Sequence, residues 1–220
     1  MNYEQQNEVF GDFVQHERAC EDLYGVLNRI HPCAGKNEFQ KLFICAAIRR
    51  TLSLSMAFKQ AVEGCNGQVA LTLIRLNLDT LARTYVLYWA DETEGMSAEQ
   101  IAKEVFDGRR IRDMKFRGAK EKATDQWLIK QINPLADWIP KVYKTTSGAI
   151  HFSDFHIKHL LRESSKLKDL DGAGMLTNLI IGPTEKDTDA NYYREIMQAF
   201  LHITMMFVAA VQHRVAIINS

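Results

Sequence analysis

Apolar residues recur at helical spacing along almost the whole chain, and only four prolines and twelve glycines interrupt its 220 residues. Strands would need period-two alternation and frequent turn residues. The pattern therefore predicts an all-α, up-and-down bundle of six or seven helices, formed as one domain over residues 1–220. With 46% apolar content the chain has enough material for a core of that size.

A first helix is expected over residues 3–30, with Phe10, Phe13, Cys20, Leu23, Leu27 and Ile30 on its inner face, stopping before His31 and Pro32. Asn37, with Gln40 at the capping-box offset, opens a second helix that carries Phe39, Leu42, Phe43, Ile48, Leu52, Met56 and Val62. The third, residues 68–90, is apolar nearly all round and should be central. Ser97 and Gln100 cap a short fourth helix containing Ile101, Val105 and Phe106. Helical segments follow around Trp138 and from 141 towards His151. From about 160 to 186 the helical period fades, and glycines bracket MLTNLII at 175–181, a short strand or an extended loop edge. The last helix, 189–218, restores the period.

Charge and composition exclude several classes of function. The 27 Lys and Arg balance 27 Asp and Glu, so no field from the whole molecule draws it to nucleic acid or to an anionic membrane. Cys20, Cys33, Cys45 and Cys65 lie 13, 12 and 20 residues apart, which is neither a zinc knuckle nor a redox pair. The start, MNYEQQNEVF, lacks the basic and apolar regions of a signal peptide, so a cytoplasmic location is expected. The apolar run at 203–211 is short and flanked by His202, Gln212, His213 and Arg214, so no membrane association is expected. No cofactor motif occurs.

Two constellations carry chemistry. In the third helix Arg75, Asp79 and Arg83 follow at intervals of four, which places them on one face about 6 Å apart along the axis. Leu73, Ile74, Leu76, Leu78, Leu81 and Tyr85 fill most of the remaining circumference, so the charges should be in protein. An Arg75–Asp79 salt bridge is expected, with one positive charge left over that an acidic or polar group must face. That stripe reads either as a packing contact or as a pocket that holds carboxylate or phosphate through the Arg fork.

The second constellation is Tyr143, Ser147 and His151, in KVYKTTSGAIHFSD. Intervals of four would align all three on a helix and set a hydroxyl beside an imidazole, the minimum for an activated nucleophile with a general base. The alternative is a histidine that bridges helices. A metal set of His151, Asp154, His156 and His159 is not expected, because an extended chain after Asp154 would point His156 and His159 to opposite faces.

A third feature is the basic segment 108–122. Arg109, Arg110, Arg112, Lys115, Arg117, Lys120 and Lys122 stand against Asp113 and Glu121, a local excess of five charges. Phosphate backbones attract such a patch, and a solvated face explains it equally.

Taken in order, R-x3-D-x3-R in a central apolar helix and Y-x3-S-x3-H-x-S before a glycine-rich stretch resemble a family of bacterial helical proteins similar to HEPN domains, over residues 37–218. The resemblance implies an often dimeric bundle, with ribonuclease activity or partnership with toxins in stress and phage defence, and it singles out Arg75, Asp79, Tyr143, Ser147 and His151. The HEPN ribonuclease signature, an Arg followed by four to six residues and a His, is absent; Arg194 and His202 have seven between them. Two functions are therefore expected in competition, with a small-molecule sensor that uses the Arg75 pocket as a third. One is an RNA- or nucleotide-directed protein in which His151 works as acid or base, and Arg83, Arg109, Arg110, Arg112 and Arg117 hold phosphate. The other is a non-catalytic interaction module, paired with itself through the last helix or with a partner protein encoded nearby.

Overall fold

The computed structural model describes residues 13–30, 36–91, 96–165, 182, 185 and 190–220. Its helices are α1 (Val14–Arg29), α2 (Glu38–Glu63), α3 (Gly67–Thr84), α4 (Val86–Asp91), α5 (Ala98–Phe106), α6 (Asp125–Ile132), α7 (Ile139–Ile150), α8 (Asp154–Ser165) and α9 (Ala190–Asn219), with 3-10 turns at Ile111–Asp113 and Asn133–Leu135. The protein is an all-α bundle, and no strand occurs among the described residues. Expectations for Phe10, Cys33 and residues 175–181 fall outside the described residues.

α3 is the axis, packed against α2, α6, α7 and α9. Twelve of its eighteen residues are buried, as an all-round apolar helix requires. Asn66 caps it by accepting the Val69 N–H at 3.1 Å. The sequence reads residues 68–90 as one helix, yet the chain divides at Tyr85 into α3 and α4. The Thr80 and Thr84 hydroxyls donate to the carbonyls of Leu76 and Thr80 just before that division, and such back-bonding bends helices. A second difference lies in the segment read as irregular, whose first part is helical: α8 extends to Ser165.

The two expected capping boxes diverge. Ser97 accepts the Gln100 N–H while the Gln100 side chain accepts the Ser97 N–H, so the box at α5 is complete. Asn37 instead adopts a left-handed backbone and makes no side-chain bond to the α2 amides. Those amides are capped from outside, because Phe39 and Gln40 donate to the two carboxylate oxygens of Glu99 on α5, at 2.9 and 3.0 Å. The Gln40 side chain then accepts two bonds, at 2.9 and 2.7 Å, from buried Arg214 on α9. One polar chain so ties α5, α2 and α9 together.

α9 is long and apolar enough, by length and composition alone, to cross a membrane, and half of its most apolar window is buried in the bundle. Phe200, Ile203, Phe207 and Val211 pack inside the chain, while Met205 and Ala209 face outwards. Most of the apolar circumference that suggested a second copy is covered by α3 and α1.

His16 of α1 lies beside the stacked Phe58 and Phe200 rings, with its centroid 5.8 Å from each. Burial lowers its pKa from the ordinary 6.5 to about 4. The neutral ring is favoured by folding, so its contribution is complete above pH 6.5 and is lost as pH falls towards 4. At ~1.4 kcal/mol for each tenfold change in proton affinity, about 2 kcal/mol should go between pH 6.5 and pH 5. Urea midpoints measured at pH 7, 6 and 5 should fall for the wild type and stay much flatter for His16→Leu; parallel slopes would contradict this account.

Candidate functional site

The α3 stripe is partnered differently from the sequence expectation. Asp79 does not pair with Arg75. Both of its oxygens accept from Arg83 Nε, at 2.8 and 2.9 Å. An acid four residues before a base is the favoured order on a helix, which explains the choice. Arg75, only 5% exposed, turns to α6, where its Nη2 lies 3.5 Å from Asp125 Oδ2. The other Asp125 oxygen accepts from Arg83 Nη2 at 2.6 Å. Burial acts against the Arg83 charge, but Asp79 and Asp125 outweigh it and raise the Arg83 pKa.

Asp125 is thus the acidic group that the stripe required. It sits in the first turn of α6, whose cap is Thr124, where a negative charge also meets the positive end of the helix. Arg75, Asp79, Arg83 and Asp125 sum to zero charge. Arg75 Nε is buried with no hydrogen-bond partner.

Tyr143 joins this group: the Arg75 guanidinium lies over its ring, 4.4 Å from the centroid. No hydrogen bond joins Ser147 to His151. The Ser147 hydroxyl donates to the Tyr143 carbonyl at 2.5 Å, a bond within its own helix. α7 ends at Ile150, and His151 has an extended backbone (φ −112°, ψ 140°) and is exposed, so it leaves the four-residue register. Gly148 lies within α7, and a Cβ there would lie 2.9 Å from Phe155 Cβ; α8 approaches α7 too closely for a side chain.

The argument against the metal set changes, since residues 154–165 are helical rather than extended. Three of its four members are engaged elsewhere: Asp154 pairs with Lys158, His156 Nδ1 accepts the Ser153 N–H, and His159 meets Glu185.

That last contact belongs to a cluster missed by the sequence reading. His159 Nε2 lies 3.3 Å from Glu185 Oε1, with both side chains 6% exposed. The Tyr193 hydroxyl donates to Glu185 Oε2 at 2.9 Å. Burial would raise the Glu185 pKa, but bonds from His159 and Tyr193 and the charges of His159 and Arg162 hold it below the usual value. A Cβ on Gly67 would overlap the Glu185 carboxylate, so any other residue at the start of α3 would make that side chain shift. No local spacing links positions 67, 159, 185 and 193, and only the fold brings them together.

The basic segment is an anchored loop. Ile111, Met114 and Phe116 are buried, and the Phe116 ring packs 6.4 Å from Trp89 and 6.3 Å from Trp127. Its cations face outwards. Arg109 pairs with Glu104, Lys122 pairs with Asp113, and Arg117 donates to Gln131. Arg110, Arg112, Lys115 and Lys120 are exposed with no ionic partner among the described residues.

Beside this loop a groove of about 600 Å³ opens between α2, α3 and α5. Phe39, Leu42, Phe43, Val105 and Phe106 form its apolar walls, Ile111 closes it on the loop side, and Arg50, Asp79, Thr80 and Arg83 line it along α2 and α3. Comparisons with known protein families, curated proteins and solved structures find no match for this chain.

The quartet can be tested by stability. Asp125→Asn leaves two guanidiniums without their shared acid and should cost about 2 kcal/mol, less than for a fully buried pair because Asp125 is 47% exposed. Adding Arg75→Met should recover part of that loss, since no uncompensated charge then stays buried. Urea titrations of the three proteins check this, and an unchanged midpoint for Asp125→Asn would remove the quartet from the account of stability.

Proposed function

We propose that this chain is a non-catalytic RNA-binding module that holds a phosphate backbone on the anchored loop at residues 108–122. The observation that carries this reading is the division of labour within the loop. Ile111, Met114 and Phe116 are held in the core, so Arg110, Arg112, Lys115 and Lys120 project as a cationic surface already ordered before a ligand arrives.

The backbone adds a second support. Arg117 has φ +55° and Gly118 φ +65°. A left-handed arginine costs about 1 kcal/mol, and such strain collects at binding sites. The absence of catalysis rests on the engagement of the Ser147 hydroxyl within α7 and on the departure of His151 from that face.

Fluorescence anisotropy with a labelled single-stranded RNA tests the reading. Binding should weaken steeply with salt, and Arg110→Ala, Arg112→Ala and Lys120→Ala should each lower affinity and flatten the logarithmic salt slope by about 0.7. His151→Ala and Ser147→Ala should leave binding unchanged, and the RNA should be recovered intact. Arg117→Gly should stabilise the fold by about 1 kcal/mol while weakening RNA, opposite signs that a merely structural loop would not give. No binding at low salt would end the proposal and leave the interaction-module reading.

A further inference from the structure

The groove between α2, α3 and α5 has no role in the RNA reading, and its chemistry points to a different ligand. Its walls are aromatic and aliphatic, and two of them are open to solvent: Phe106 is 67% exposed and Leu42 is 40% exposed. The Phe39 and Phe106 rings stand 5.3 Å apart at 58°. A volume of about 600 Å³ lies within the usual range for a small organic molecule, roughly 300–1,000 Å³. A partner helix 10–12 Å across would need a longer and wider trough over even three turns.

The charges specify the ligand further. Each acid around the groove is already engaged: Asp79 with Arg83, Glu99 with the α2 amides, Glu104 with Arg109, and Asp107 with Lys103. Arg83 is answered by both Asp79 and Asp125. Arg50 differs. Its Nε donates to Thr80 Oγ1 at 3.0 Å, which steadies the guanidinium, and no acid among the described residues pairs with it. Its two terminal amino groups keep their donors for a ligand. The groove therefore carries one uncompensated positive charge beside an apolar cavity.

We infer that this groove binds a small organic monoanion, a carboxylate, sulfonate or phosphodiester on an aromatic or branched apolar body. The anion takes the two terminal amino groups of Arg50 side by side, the fork geometry at which guanidinium excels, and the apolar body lies against the wall formed by the Phe39, Phe43 and Phe106 rings. A dianion is disfavoured because only one charge is uncompensated and the Asp79 carboxylate lies in the same lining.

A matched pair of fluorescent probes tests the inference on the full chain: 1-anilinonaphthalene-8-sulfonate, and N-phenyl-1-naphthylamine, the same rings without the sulfonate. The sulfonate should bind saturably at one site per chain. Arg50→Gln should weaken it about tenfold while leaving the neutral probe unchanged, because only the charge-assisted bonds are lost. Arg50→Lys should recover part of the affinity. Ala46→Trp, which fills the groove from the α2 side, should abolish binding of both probes, with circular dichroism and the urea midpoint showing that the bundle persists. Equal sulfonate binding by wild type and Arg50→Gln, or binding at many sites without saturation, would overturn the inference. The loop variants Arg110→Ala and Arg112→Ala should not affect the probes, which separates this site from the RNA surface.

Discussion

A carboxylate shared by two guanidiniums organises the centre of this molecule. α3 is buried on nearly every side, and it carries Arg75 into that environment with Asp79 and Arg83 partly exposed beside it. Such a helix can be central only if the surplus charge is answered from a neighbouring element, since an unpaired ion in protein costs several kcal/mol. Asp125 supplies the answer at the start of α6. The position of α6 against α3 follows from it, as does the placement of Trp127, two residues on, against Trp89 and Phe116.

The outer features follow from that placement. With the Trp89, Phe116 and Trp127 rings packed together, the segment between α5 and α6 is pinned at its apolar residues and is free to present its cations outwards. The same pinning puts Ile111 at the end of the groove beneath α2 and α5. The cationic surface and the amphipathic groove are therefore neighbours that share one anchor yet hold different charges: four loop cations without an ionic partner among the described residues, and Arg50 alone.

Polar contacts across the bundle act as registers. Glu99 fixes α5 against the open amides of α2, Gln40 carries that link to Arg214, and the Asn77 amide donates to the Thr204 hydroxyl at 2.9 Å between α3 and α9. Each orients a helix pair that apolar packing alone would leave free to slide. The ring of Tyr143 on α7 adds another such contact by covering Arg75 on α3, whereas the Ser147 hydroxyl is bound within its own helix.

The sequence by itself determined the helical class, the central place of α3, the Ser97–Gln100 box and the need for an acid opposite Arg75 and Arg83, because helical periodicity, local capping and charge balance are short-range or additive properties. Tertiary structure alone decided which acid answers. Asp79 was within reach of both arginines along the helix, and only the arrival of Asp125, 50 positions after Arg75, drew Arg75 away from it. It also decided that Glu99 rather than Asn37 caps α2, that Glu185 meets His159 and Tyr193 over Gly67, and that Leu42 and Phe106 border a groove rather than fill a core. These depend on distances between residues remote in the chain. Local patterns set what each helix must bury, whereas the choice among chemically equivalent partners is made by whichever one the packed helices bring near.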